Sequence, residues 1–353
     1  MTTFRSMACL AAAAAAGAVL GAGAPASARA AGFELTLAHF LPASHPVSKW
    51  TVDWAKEMEQ KSNGALKFTV VPGAQLGPTP KYYDIARRGQ ADITWFLHGG
   101  TPGRFPLTEL SNLPFLFCSA EQATKVVNDA GLRAKYLDPE HTGVKVVLLV
   151  AHVPGQVWMS KKPVESIADF SGAAIRPPSR TIGAFLLALG AKSVGMPPNE
   201  LAENMQKGTL DGTFMDYPAG TFAFKLGPVT QHITEIYGYT TSLGVAMNPE
   251  SWKKLPANLQ KIVTGAAQGR EKEVAGSWDN FDQKAKQALV KGGTKIVKLD
   301  AAEMQKFRAL GAKVSADWVK DLDAKKLPAS AAYKEMQALA AKHKATSASF
   351  CPN

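Results

Sequence analysis

Apolar and polar residues alternate over residues 33–40, FELTLAHF, and again over 66–71, LKFTVV. A period of two predicts strands at both places. Between them Val47, Trp50, Trp54 and Met58 recur at roughly helical spacing, with charges interleaved, so a helix is expected over 46–62, closed by Gly64. Residues 79–88 predict a second helix stopped by Gly89, and 91–97, ADITWFL, a third strand. Strands separated by helices of this length imply βαβ units and a parallel sheet.

The same reading continues along the chain. A loop rich in Gly and Pro follows at 98–117, then a helix over 120–135. Residues 143–152, GVKVVLLVAH, form a buried strand that runs into Val153-Pro154-Gly155, a crossing into a second domain. Strands are expected at 156–160, 191–196 and 210–217, with a helix at 200–207. The extended apolar run 233–247 returns to the first domain. Residues 256–292 carry Leu259, Ile262, Val263, Val274, Trp278, Ala285 and Leu289 at a period near 3.6. One helix there would be about 50 Å long, long enough to span both domains, with Gly269 or Gly276 as the place to bend or break. A strand at 294–299 and two amphipathic helices end the chain.

The stretch 172–190, GAAIRPPSRTIGAFLLALG, holds the candidate chemistry. Residues 173–175 predict a short strand with Arg176 at its end. Pro177 and Pro178 cannot donate to a ladder and stop the pairing. Ser179 or Thr181 caps a helix over 182–189, and Gly190 ends it. A guanidinium at a strand end, beside a helix N-terminus, suits a carboxylate: the helix offers backbone N–H groups, and Arg offers two parallel donors. A surface arginine in an ordinary strand–turn–helix has the same local pattern.

Charge adds a little. Forty Lys and Arg against 29 Asp and Glu leave +11, which favours an anionic partner. The basic residues are scattered, with no basic helix, so nucleic acid is not expected. The first 30 residues read as Arg5, an uncharged run over 7–24 and the small-residue end ASARA, the pattern of a cleaved export signal. Roughly 325 residues remain after cleavage, a length that suits two domains. Cys118 and Cys351 then remain, and in an oxidising compartment they pair or leave Cys351 free. No His-Glu-x-x-His, Gly-x-Ser-x-Gly, phosphate loop or Cys-x-x-Cys is present. His39 and His45 share a face only through a loop, so no metal site is expected, and no cofactor. An exported α/β protein with an anion clamp and no reaction machinery reads as a binding protein, not an enzyme.

Taken in order, LAHFLPASHPVSKW, KSNGALKFTVVPGAQLG, RRGQADITWF, TPGRFPLTELSNLPFLF, SKKPVESIADFSGAAIRPP, LALGAKSVGMP and GTLDGTF resemble the extracytoplasmic solute-binding subunits of tripartite ATP-independent periplasmic (TRAP) transporters, the DctP family. The resemblance implies a two-domain α/β periplasmic binding protein fold, type II-like, with crossing strands and a long domain-spanning helix. It implies domains of 31–153 plus about 240–275, and of 154–239 plus about 276–353. It further implies a monomer in the periplasm that passes an organic acid to small and large membrane subunits. The family arginine of the IR-x-P motif falls on Arg176, and Ser179 on a position that often touches ligand.

Departures from the dicarboxylate and sialic-acid binders shape the expected ligand. Gly155 is followed by Gln156 and Val157, where those proteins carry an arginine, and Asp211-Gly212-Thr213-Phe214-Met215-Asp216 replaces D-G-Q-E-N. The expected site is Arg176, Ser179 and Arg180 with His39, Phe40, Trp95, Phe96, His98, Trp158, Met215 and Asp216. Trp95, Phe96 and Trp158 are equally compatible with plain core. An aromatic or branched monocarboxylate, or a keto acid, fits such walls. The alternatives are a C4-dicarboxylate, with Arg180 as a second clamp, or a ligand-sensing protein of the same fold.

Overall fold

The computed structural model describes residues 32–343. The expected export signal and Cys351 lie outside the described residues. The first half contains β1 (Phe33–Ala38), α1 (Pro46–Lys61), β2 (Leu66–Val71), α2 (Tyr82–Arg87), β3 (Ile93–Leu97), α3 (Ala120–Val127), the single turn α4 (Ala130–Leu132) and β4 (Lys145–Ala151). Then come β5 (Gly155–Met159), β6 (Ala174–Arg176), α5 (Arg180–Ala188), β7 (Lys192–Ser193), α6 (Leu201–Lys207), β8 (Gly212–Met215) and β9 (His232–Tyr239). The chain closes with β10 (Ser242–Met247), α7 (Pro249–Lys254), α8 (Ala257–Gly265), α9 (Glu271–Lys291), β11 (Lys295–Lys298), α10 (Ala301–Ala324) and α11 (Ala329–Lys342).

Two sheets result, one ordered β2-β1-β3-β10-β4 and the other β11-β9-β5-β8-β6-β7. Neither is wholly parallel, as the βαβ pattern had implied. β1 runs parallel to β2 and β3, but β10 is antiparallel to β3 and β4. In the second sheet β5 is antiparallel to β8 and β9. The antiparallel strands are those adjoining the two crossings. The chain leaves the first sheet after β4, enters the second at β5, and returns from β9 to β10. The crossings lie side by side: the His152 N–H donates to the Thr241 carbonyl at 3.3 Å, and Gly155 pairs with Tyr239.

β4 reads as an unbroken apolar run because both its faces are covered. Leu148 and Val150 join the core built on α1 and β1–β3, while Leu149 and Ala151 join a second core with α3 and α11. That second core also takes Val319 and Leu322 of α10. The C-terminal residues therefore do not all stay with the second sheet: the end of α10, with α11, packs beside the first, whereas Phe307 and Val314 of α10 pack on the second. The expected helix over 120–135 ends at Val127, where Asn128 caps it.

The long helix expected over 256–292 is two helices. Gly269 takes φ +73°, a left-handed conformation that glycine adopts without steric cost. The α8 carbonyl at Ala266 is met instead by the indole N–H of Trp54 at 2.8 Å. Trp50, stacked on Trp54 at 5.5 Å, donates to Glu273 across the same break. α9 then runs 21 residues. Its Asp279 carboxylate accepts the N–H groups of Ala120 and Glu121, both at 3.0 Å, at the start of α3, where a helix favours negative charge. Cys118, just before α3, is engaged in a disulfide. No described helix is long and apolar enough to cross a membrane.

Gly212 shows how tightly the second sheet is closed. A Cβ there would stand 2.3 Å from the Trp158 carbonyl oxygen and 2.6 Å from the Met159 sulfur. Because the nearest atom is backbone, the strands must separate to admit it. Gly212→Ala is expected to lower the unfolding free energy by about 1–3 kcal/mol. A urea titration reads this as a lower midpoint at unchanged slope; an unchanged midpoint would show that β5 and β8 yield freely.

Candidate functional site

Arg176 ends β6, where Ile175 pairs with Gly212 and Arg176 with Thr213 of β8. Pro177 and Pro178 interrupt the strand, and Ser179 caps α5, its Oγ accepting the Ile182 N–H at 3.4 Å and meeting Thr181 Oγ1 at 2.8 Å. This turn buries the Arg176 side chain to 5 % exposure. Its Nε donates to the Met196 carbonyl at 3.2 Å. Among the described residues no carboxylate forms an ion pair with it. Burial pulls the guanidinium down to about 10, the mark of a cation stripped of water and not repaid by an anion.

Two cavities meet at Arg176 and share Leu97, Pro178 and Pro198. The outer cleft, of about 590 Å³, runs past Thr79, Gly99, Ser179, Arg180 and Leu187. The inner pocket, of about 60 Å³, is walled by Phe40, Leu41, Met215, Phe224, Leu243 and Trp278. On the usual measure that is room for roughly four waters. Polar groups enter it from His45, His152, Asp216, Tyr239 and Thr241.

These polar groups come from both sheets and from the crossings between them. His152 and Thr241 sit on the two crossings. His152 Nδ1 lies 2.5 Å from the Val153 carbonyl and 3.9 Å from Asp216, and its ring meets Tyr239 edge-on at 5.4 Å. Burial lowers the affinity of His152 for a proton, although Asp216 opposes this. Asp216 follows β8 and accepts the Ala219 N–H at 2.9 Å; burial raises its pKa, with His152 pulling the other way. His45 caps α1, its Nδ1 accepting the Val47 N–H at 3.1 Å. Burial holds its pKa down to about 3, so the ring stays neutral.

The sequence-derived candidates divide. Arg176, Phe40, Met215 and Asp216 meet at the inner pocket, and Ser179 and Arg180 line the outer cleft, Arg180 with its side chain in solvent. Trp95, Phe96, His98, Trp158 and His39 line neither cavity. Trp95 packs on Trp50, and Phe96 packs edge-on to Tyr83. Trp158 donates its indole N–H to the Met215 carbonyl at 2.9 Å and fills the space beside Gly220. His98 Nε2 is 2.9 Å from His141 Nε2 in a ring cluster with Phe105. Trp95, Phe96 and Trp158 pack into the core, because a strand's pattern fixes which residues are buried, not which buried face borders a cavity. Among the residues missed are Leu41, His152, Phe224, Tyr239, Thr241, Leu243 and Trp278, with His45 considered only for metal. The crossing at 153–155 and the returning run 233–247 hinted at His152, Tyr239, Thr241 and Leu243.

Behind the pocket α9 brings Asp282, fully buried with neither oxygen hydrogen-bonded. Burial first, then Asp216, Asp279 and Glu235, raise its pKa to about 8.

Known proteins share this fold. The model of the bacterial extracellular solute-binding protein family 7, DctP, matches residues 37–321. A TRAP solute-binding protein from Rhodoferax ferrireducens, solved with copurified benzoate, is 28% identical, with a TM-score of 0.84 over 88% of this chain and 98% of that one. A marine metagenome TRAP solute-binding protein specific for aromatic acid ligands, with 3-hydroxybenzoate, is 28% identical at TM-score 0.84, covering 89% and 99%. One from Bordetella bronchiseptica, with bound (R)- and (S)-mandelate, is 29% identical at TM-score 0.80, covering 88% and 100%.

Asp282 gives a sign that can be measured. Its folded pKa is raised above the unfolded value, so its contribution to stability is fully present below about pH 3.8 and is lost as pH rises through about 8. Asp282→Asn removes that loss. The variant is expected to gain roughly 1–3 kcal/mol over the parent at pH 8.5 and little at pH 4, in paired denaturant titrations. A gain independent of pH would place the cause elsewhere.

Proposed function

The chain belongs to family 7 of the bacterial extracellular solute-binding proteins, the DctP family of TRAP solute-binding subunits, and on that premise we propose that its cleft takes an aromatic or branched monocarboxylate, or a keto acid. The observation that carries the reading is the buried Arg176 guanidinium, unpaired by any carboxylate among the described residues, at the mouth of an apolar pocket. A bound carboxylate supplies the missing anion through two parallel hydrogen bonds. Phe40, Phe224, Met215 and Trp278 then enclose a ring or branched chain. The bound benzoate, 3-hydroxybenzoate and mandelate of the three similar structures support that class of ligand.

A dicarboxylate fits less well. Its second charge would enter the pocket facing Asp216, or reach out to Arg180, whose solvent-exposed side chain recovers little from pairing. In this reading the protein carries its ligand unchanged, as a periplasmic monomer, to the small and large TRAP membrane subunits. Ser179, by capping α5, keeps that helix N-terminus beside the anion. The domains divide at the crossings, with the end of α10 and α11 beside the first sheet.

Two measurements test the proposal. In a thermal-shift and competition panel, benzoate, mandelate and branched 2-oxo acids should raise the melting temperature. Succinate and malate should bind at least about tenfold more weakly, or roughly 1.4 kcal/mol. A dicarboxylate that outcompetes every monocarboxylate would overturn the ligand class and make Arg180 the second clamp.

Arg176→Lys should fold and lose roughly 2–5 kcal/mol of binding to the best acid of that panel, because an ammonium cannot reproduce the paired donors. Calorimetry finding near-parental affinity would remove Arg176 from the site.

A further inference from the structure

Two residues that line the inner pocket each carry a buried polar atom without a partner, His45 Nε2 and Thr241 Oγ1. Each residue is 1 % exposed. Because His45 Nδ1 accepts the Val47 N–H, the neutral ring carries its proton on Nε2, which makes that atom a donor. A buried donor without an acceptor is costly, and no described side chain relieves this one. Taking the cleft to bind a carboxylate on Arg176, as proposed above, we propose that His45 Nε2–H and Thr241 Oγ1 read a second, uncharged oxygen on the same acid, a hydroxyl or keto group.

Arg176, His45 and Thr241 reach the pocket from different parts of the fold. Arg176 belongs to the second sheet, whereas His45 caps a helix packed on the first and Thr241 leads into β10. The charged and titratable groups around the ring are His39 from the end of β1, His152 from the first crossing, and beyond it Asp216 after β8 with Tyr239 of β9. With Asp216 facing this end of the pocket, a neutral oxygen is accommodated where a second carboxylate is not. A site built to bond an oxygen also rejects the analogue that lacks it, since its own donor is then left bare.

The test uses matched acids, mandelate against phenylacetate and 3-hydroxybenzoate against benzoate, by calorimetry on the parent, His45→Asn and Thr241→Val. Asn is a strong N-cap, so His45→Asn keeps the start of α1 while removing the distal donor. The parent should prefer the oxygenated member of at least one pair tenfold or more. That preference should fall to threefold or less in His45→Asn, because the oxygenated acid loses more affinity than the plain one. Thr241→Val, nearly the same shape, should lower the same preference and gives the reading if His45→Asn does not fold. No preference in the parent, a preference that survives the substitutions, or equal loss for both members of each pair would overturn the proposal while leaving carboxylate binding intact. Failure of all four acids to bind the parent would overturn both.

Discussion

A guanidinium taken out of water without a counter-charge is the constraint on which the site depends. Alone it would be expelled or would recruit a carboxylate from the chain. Here the fold holds it in place by other means. β6 pairs with β8 at Arg176, two prolines stop the strand, and the Met196 carbonyl accepts the guanidinium Nε. Tight closure of β5 on β8 at Gly212 makes that platform rigid. In the proposed function the remaining donors of Arg176 meet an anion that enters the pocket, and stability given up at one buried cation becomes affinity for a ligand.

The rest of the pocket comes from where the chain changes sheets. His152 and Thr241 occupy the two crossings, joined by a backbone hydrogen bond, and Tyr239 ends the strand that feeds the second. His45 and Trp278 approach from α1 and α9, the helices that Trp50 and Trp54 tie together at the α8–α9 break. Groups on the crossings therefore touch both sheets, and any ligand they hold is sensed by each. Ligand placement where the chain connection switches is the usual habit of α/β sheets.

What was legible in the sequence was local. β2 falls where alternation put it, and the Arg176–Pro–Pro–Ser179 turn forms as its residue types require, because strand end, break and cap all lie within a few residues. Non-local features were not legible. Trp95, Phe96 and Trp158 carry the same apolar signal whether they face a cavity or a core. His152, Tyr239 and Trp278 come together from positions far apart in the chain, and no spacing announces that. The break at Gly269 was visible only as one of two glycines; the Trp54 indole that satisfies the freed carbonyl is 212 residues away.

Electrostatics then limits what the pocket accepts. Burial keeps His45 and His152 neutral, so they add no positive charge near neutral pH. Arg176 is the cation of the inner pocket and Asp216 the acid, with Asp282 behind it held toward its neutral form. One positive charge with a carboxylate nearby has capacity for one bound anionic group, held on the Arg176 side. A second negative charge would meet Asp216 in a pocket walled mostly by apolar side chains. The apolar walls and single clamp thus favour acids with one charge and a bulky, sparsely polar remainder, and they do so by subtraction of partners as much as by fit.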